Sequence, residues 1–215
     1  MNTGAKMGTS ASGSARIDGA ALDVRELPSF GFSHHAITWW GVLGMMAIEG
    51  TVFVIAVVAY FYLRANAPQW PLSTLPPDLI WGTINVVILL ASLVPNQWMK
   101  KSAEAGKLNQ LRMAFIIALL FGIGFIVVRG LEFTALNVRW DTDAYGSAVW
   151  MLLCLHTLHL VTDVYDTGVL AVLLFTGPLE ERRRVDASEN ALYWYFVVFS
   201  WLPIYAVIYW APRIH

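Results

Sequence analysis

Five long apolar stretches run through the chain, and each is separated from the next by a short polar or proline-rich segment. Each stretch is long enough to cross the hydrocarbon core of a bilayer as a helix, which takes about 20 residues. We therefore predict an all-α integral membrane bundle of five transmembrane helices. The predicted spans cover residues 38–63, 79–99, 113–136, 147–175 and 191–210.

The segment before the first span, residues 1–36, is rich in Gly, Ser and Ala and has little large apolar surface. We predict a disordered or surface-lying N-terminal arm there, followed by the membrane domain of residues 37–215. Of the 215 residues, 57% are hydrophobic and only 13% are charged, about half the charged fraction of a soluble domain. The net charge of −1 gives no reason to expect nucleic acid as a partner. Cys154 is the only cysteine, which excludes disulfides within the chain and cysteine-rich metal sites.

Loop charges predict the orientation of the bundle. Five spans place the termini on opposite sides, and the segments on the N-terminal side carry ten Lys and Arg residues against three on the other side. Cytoplasmic loops are enriched in these residues, so we expect the N-terminus inside and the C-terminus outside.

The fourth span carries four ionisable side chains, His156, His159, Asp163 and Asp166. At about 100° per residue they fall within one narrow arc of the helix, which should face protein, water or lipid headgroups rather than acyl chains. Imidazole and carboxylate suit Zn²⁺ or a di-iron pair. The alternatives are a structural polar seam between helices, which we favour, and a proton relay.

Other spans contain fewer polar residues. Glu49 on the first span is either a functional carboxylate or a hydrogen-bonded structural one, and we expect it to face an interhelical cleft together with Asp163. Arg129 and Glu132 are spaced to pair within the third span. The aromatic run at 193–196 is typical of an interfacial belt.

Several segments, in order, resemble subunit III of the haem-copper terminal oxidases, the cytochrome c and quinol oxidases. Their spacing along the chain matches the family's order, and together they cover nearly everything after residue 38. The segments are GVLGMMAIE at 41–49, INVVILLAS at 84–92, RGLEF at 129–133, YGSAVWMLLCLHTLHL at 145–160 and LYWYFVVFSWLPIYAVIYW at 192–210.

Five spans correspond to the family's shorter form, without its first two helices, and the sequence resembles a divergent branch. The positions that match the family's motifs are Glu49, Glu132, His156, His159, Trp194 and Trp201. Tyr195 and Val198 stand where the family usually has His and Asp, Asp163 where a Gly is usual, and Arg129 where an uncharged polar residue is common.

The resemblance implies a non-catalytic subunit that stabilises oxidase subunit I, its main contact, beside subunit II. It implies haem and copper in those partners, none in this chain, and bound phospholipid with support for proton uptake during aerobic respiration. Residues expected to serve lipid or protons are Glu49, His156, His159, Asp163 and Asp166; those expected to make structural polar contacts are Asn85, Arg129, Glu132, Trp194 and Trp201.

The implied location is the bacterial inner membrane, with the mitochondrial inner membrane as the other candidate. Two other functions remain open. One is an accessory subunit of a nitric oxide reductase, and the other is a small metal-ion or proton transporter that uses the polar residues between His156 and Asp166.

Overall fold

The computed structural model describes residues 31–32, 34, 36–72, 75–177 and 180–214. Most of the predicted N-terminal arm, residues 1–30 with 33 and 35, lies outside the described residues. Within the described ranges, five helices are long and apolar enough to cross a membrane. They are α1 (Ile37–Asn66), α2 (Leu79–Glu104), α3 (Leu108–Ala135), α4 (Ala144–Thr176) and α5 (Glu181–Tyr205), the last continued by a π turn (Ala206–Trp210) and a short 3₁₀ turn (Ala211–Arg213).

The structure agrees with the prediction of an all-α membrane bundle, but several helices are longer than the predicted spans. The largest difference is α5, which begins at Glu181 rather than near residue 191. Its first turns are charged, and we predicted a loop there because hydropathy marks the part of a helix that lies in hydrocarbon. Glu and Arg are nevertheless good helix formers, so the helix itself continues beyond the apolar run.

Arginine side chains hold the helix ends together on the side predicted to be inside. Arg184 donates to the carbonyls of Ala103 at 2.9 Å and Glu104 at 2.7 Å, at the end of α2. Arg112 donates twice to the carbonyl of Leu174, near the end of α4, at 2.9 and 2.7 Å. Both satisfy carbonyl groups that have no partner within their own helix.

The five helices differ in how much of their surface is covered. The α2 and α3 helices form an antiparallel pair, joined by a tight turn in which Gly106 has a φ of 67°. The α5 helix packs against α2 and α4, whereas α1 contacts only α4 and α5 to any extent. As a result, α1 is the least buried helix, and a cleft opens beside it.

Candidate functional site

A buried cluster of polar side chains joins α2, α3 and the π turn. Arg129 and Glu132 are both 1% exposed, and Nη1 of Arg129 lies 2.8 Å from Oε2 of Glu132. The same Oε2 accepts a hydrogen bond of 2.5 Å from Asn85 Nδ2, and Oε1 accepts one from the hydroxyl of Tyr209. The Glu132 carboxylate therefore has three donors from three segments, which offsets much of the cost of burying its charge.

His156 extends this cluster to α4. It is fully buried, and its Nε2 lies 3.0 Å from the carbonyl oxygen of Val197, while its Nδ1 lies 3.3 Å from Nη2 of Arg129. A carbonyl only accepts and a guanidinium only donates, so Nε2 carries the hydrogen and Nδ1 accepts. The geometry thus fixes His156 as one neutral tautomer. The Arg129 guanidinium also lies over the ring of Trp201, 3.9 Å from its centroid, which adds a cation–π contact.

The position of Tyr209 depends on a change of helical register. Pro203 lacks the amide hydrogen that an α-helix uses at that position, and the π turn begins three residues later, at Ala206. On the facing helix, Gly82 leaves room for the tyrosine ring, since a Cβ at residue 82 would lie only 2.6 Å from two of its atoms. The π turn and the space at Gly82 together accompany the contact of the Tyr209 hydroxyl with Glu132.

A second polar region lies in the cleft between α1, α4 and α5, which has a volume of about 540 Å³. Its wall combines apolar side chains of α1 and α4 with five carboxyl groups. We call it the acidic cleft after these five residues, Glu49, Asp163, Asp166, Asp186 and Glu189. None of the described residues that line it is a lysine or an arginine.

Glu49 occupies the deep part of the acidic cleft, with its side chain 24% exposed. Its Oε2 accepts a 2.7 Å hydrogen bond from the hydroxyl of Tyr193, and its Oε1 lies 3.7 Å from Nε2 of His159. The other ring nitrogen of His159, Nδ1, donates to the carbonyl of Leu155 at 2.7 Å. The Glu49 carboxylate and Nε2 of His159 are thus close enough to form an ion pair if Nε2 is protonated.

Asp163 is almost completely enclosed in the cleft wall, at 1% exposure. Its Oδ1 accepts a 2.9 Å hydrogen bond from Asn190 Nδ2, and the amide oxygen of Asn190 accepts one of 3.1 Å from Thr167. Its Oδ2 is buried and has no hydrogen-bond partner among the described residues. Asp166, one turn away, is exposed at the cleft surface.

Across the part of the chain that the structure describes, no three His, Cys, Asp or Glu side chains meet closely enough to hold a metal ion. The ring of Phe53 lies beside both His156 and His159, with centroid distances of 6.3 and 4.9 Å.

Comparison with known proteins identifies the family to which the chain belongs. The family model of Cytochrome c oxidase subunit III matches residues 30–212, which include all five helices and both polar regions. The chain belongs to the cytochrome c oxidase subunit III family.

Relatives in this family come from animals and bacteria. A probable cytochrome c oxidase subunit 3 of Mycobacterium leprae is 30% identical over 178 residues, 79% of this chain and 85% of that protein. Cytochrome c oxidase subunit 3 of the sea urchin Paracentrotus lividus is 26% identical over 199 residues, covering 87% and 76% of the two chains. The mouse protein of the same name is 28% identical over 145 residues, 66% of this chain and only 55% of the mouse chain.

Within this subunit III fold, the four ionisable residues of α4 do not share one environment. His156 belongs to the buried cluster and does not line the acidic cleft, contrary to the expectation from the helical arc. His159 faces Glu49, and Asp163 and Asp166 line the cleft. The four side chains do share one arc of α4, but different neighbouring helices contact different parts of that arc.

The two tryptophans of the family motif make different contacts. Trp194 donates its indole N–H to Ser92 Oγ at 2.8 Å, linking α5 to α2. The indole nitrogen of Trp201 has no hydrogen-bond partner among the described residues, and the ring contributes through its face, against Arg129 and His156.

Sequence reasoning missed three residues of these clusters, Tyr193, Asn190 and Tyr209. The aromatic run at 193–196, which we predicted to be an interfacial belt, also makes contacts between helices. Tyr193 bonds to Glu49 inside the bundle, and Tyr195 bonds to Gln97 of α2. A helix that begins well before the aromatic residues can place them against neighbouring helices. Charged residues one or two turns before the aromatic run are the sequence signal for such an early helix start.

Proposed function

We propose that this chain is the non-catalytic subunit III of a haem-copper terminal oxidase of the cytochrome c oxidase type. In that role it stabilises catalytic subunit I beside subunit II, binds phospholipid and supports proton uptake during aerobic electron transport. The observation that carries the proposal is the family match over residues 30–212. We place the complex in a bacterial inner membrane, in keeping with the similarity to the Mycobacterium leprae protein over most of its length.

The buried cluster supports the stabilising role. Buried hydrogen bonds connect its side chains on α2, α3, α4 and the π turn to one another and to the Val197 carbonyl of α5. Polar contacts of this kind hold the helices of a membrane bundle together. Outside this core, α2 and α3 expose large apolar side chains, among them Val94, Leu120 and Val127. A rigid bundle with apolar outer faces suits lateral contact with the helices of a larger subunit.

The acidic cleft supports the lipid and proton roles. It opens beside α1 and has apolar walls, so it suits an acyl chain, while its polar groups suit a headgroup or water. Glu49 is half enclosed there and contacts a phenol and an imidazole, both of which exchange protons. A carboxylate with such neighbours can take up and release a proton at lower cost than one in hydrocarbon.

Affinity purification from native membranes tests the proposal. A tagged chain should co-purify with subunits that show a haem spectrum, with electron transfer to O₂ in the isolated complex. Purification of the chain alone, without haem-bearing partners from membranes that contain an active oxidase, would contradict the subunit role. If the purified complex reduces nitric oxide and not O₂, the chain is instead an accessory subunit of a nitric oxide reductase.

Glu49→Gln should leave assembly and haem content unchanged but shorten the catalytic lifetime of the complex during turnover. The substitution keeps the shape and removes the charge, which weakens the hydrogen bond from Tyr193. We expect a loss of about two- to tenfold, the range that corresponds to about 0.5–1.5 kcal/mol. The matched control is Glu104→Gln, an exposed carboxylate near the end of α2 outside the acidic cleft. Equal lifetimes for the two variants would show that Glu49 is only structural.

We further propose that the N-terminus and the turn between α2 and α3 lie on the inner side of the membrane. Cysteines at Lys107 and Asp141, both exposed, report the two sides in a Cys154→Ser background. A membrane-impermeant maleimide should label position 141 in intact cells and position 107 only after permeabilisation. The reverse pattern would contradict the orientation and the loop-charge interpretation behind it.

A further inference from the structure

We propose that a small cavity between α2, α3, α4 and α5 binds one water molecule, and that this water links α2 to α4 inside the bundle. The cavity lies in the half of the bundle that contains the α2–α3 turn, and its lining residues differ from those of the buried cluster around Arg129. Its size, the polar groups that line it and the packing of the two helices all favour a water site.

The cavity has room for a single small molecule. Its volume is about 10 Å³, close to the smallest space that can hold a water molecule, about 10–15 Å³. Asn96 lies eight residues before Glu104, the last residue of α2, and Thr167 lies nine before Thr176, the last residue of α4. The cavity is therefore about 12–14 Å from the ends of both helices. A phosphate group or an acyl chain is too large for it.

Polar side chains of three helices line the cavity, and each retains hydrogen-bonding capacity. Asn96 of α2 donates through Nδ2 to the carbonyl of Ala191 at 2.9 Å, so its amide oxygen is available to accept. Thr167 of α4 donates to Asn190 Oδ1 at 3.1 Å, and its hydroxyl oxygen can still accept. Asn190 of α5 donates to Asp163 at 2.9 Å, and an amide nitrogen has a second hydrogen to give.

A water molecule matches these three groups. It accepts the second amide hydrogen of Asn190 and donates its own two hydrogens to the Thr167 hydroxyl and the Asn96 amide oxygen. Three hydrogen bonds is the usual number for a buried water. A monovalent cation of similar size cannot accept the hydrogen from Asn190, so a ligand that both donates and accepts fits better. Because buried polar groups without a partner are costly, such a water is retained.

The water supplies a connection between two helices that otherwise lack one. The α2 helix packs against α3 and α5, and α4 packs against α1, α3 and α5, but α2 and α4 make few direct contacts with each other. A bridging water holds two polar groups together almost as well as a direct hydrogen bond does. Through Asn190 the bridge extends to Asp163, and it therefore ties one wall of the acidic cleft to α2.

The test is a cryo-electron microscopy map of the chain, purified with the subunits that accompany it, at a resolution that shows internal water molecules. We expect one peak of density in the cavity, about 2.7–3.2 Å from polar atoms of Asn96, Thr167 and Asn190. Thr167→Val keeps the shape of the side chain and removes the hydroxyl, so the peak should disappear. Thr167→Ser keeps the hydroxyl and should keep the peak. Thr162→Val is the matched control, since the Thr162 hydroxyl bonds only to carbonyls of its own helix.

The half-life of the purified chain at elevated temperature is the second readout. Thr167→Val should shorten it about fivefold relative to Thr162→Val, which corresponds to about 1 kcal/mol. Thr167→Ser should stay near the wild type. A wild-type map that shows internal waters elsewhere but none in this cavity would overturn the site, as would density too large for a water. If Thr167→Val retains the peak, the bridge from α2 to α4 is wrong. If Thr167→Val fails to accumulate in membranes, the wild-type map and Thr167→Ser decide the question.

Discussion

Arg129→Ala should prevent stable assembly of the bundle, with a loss of about 3–5 kcal/mol in the free energy of unfolding. The substitution removes the only cation that contacts the buried Glu132 carboxylate in the described structure and leaves that charge uncompensated. It also removes the donor to His156 and the contact with the face of Trp201. Unfolding of the purified complex in detergent, together with its yield in membranes, measures the loss.

The matched control is Arg139→Ala, in the loop between α3 and α4. Arg139 also pairs with a carboxylate, at 3.0 Å from Asp141, but its side chain is 76% exposed. The hydrogen bond from Arg139 lowers the pKa of the Asp141 carboxyl, so both partners are charged at neutral pH, in water that screens them. Stability should therefore be unchanged within error. Equal effects of the two substitutions would contradict a structural role for the buried pair.

His156→Ala should lower the stability of the complex far more than His159→Ala, although the two residues are only three positions apart on one helix. The His156 ring is fully buried and bonds to Arg129 and to the Val197 carbonyl, so its removal leaves a cavity and two groups without their partner. We expect a loss of about 2–5 kcal/mol in the stability of the complex. The His159 ring is only partly buried and donates a hydrogen bond within its own helix, to the carbonyl of Leu155, while its Nε2 lies 3.7 Å from Glu49. Its loss should cost about 1 kcal/mol or less.

Thermal inactivation of the two purified variants compares these losses directly. Metal analysis is the second readout, since neither substitution should change the iron or copper content per assembled complex. Similar stability of the two variants would mean that the buried cluster does not hold α4 in place. Loss of a stoichiometric metal from the isolated chain on either substitution would instead favour the metal-ion hypotheses.

The five spans were predictable because hydrocarbon imposes a long apolar run on every segment that crosses it. The Arg129–Glu132 contact was also predictable, since residues three apart on a helix are neighbours. The separation of His156 from His159 was not. A helical arc gives the direction of each side chain from one axis, but the environment depends on where the other helices lie. Here, α1 brings Glu49 to His159, and α3 brings Arg129 to His156.

The contacts of α5 were hidden for a different reason. Tyr209 reaches Glu132 through a π turn, which shifts the side chains relative to a regular helix, and a helical projection places that tyrosine at the wrong angle. Tyr193 reaches Glu49 across 144 positions of sequence. Only the packing of α1 on α5 brings these two residues together, and a single sequence carries no signal for that contact.

In the proposed orientation, we expect the arginines that cap α2 and α4 to have two separate tasks during biogenesis. While the chain is being inserted, Arg112 and Arg184 should act through charge alone, because Lys and Arg near the ends of a span are both retained on the inner side. Once the helices have assembled, their planar guanidinium groups bind the final carbonyls of neighbouring helices. Lysine satisfies the first requirement and only partly the second, since it lacks the forked donor geometry. Replacing either arginine by lysine therefore separates the two stages: insertion keeps its direction, while the assembled bundle becomes less stable.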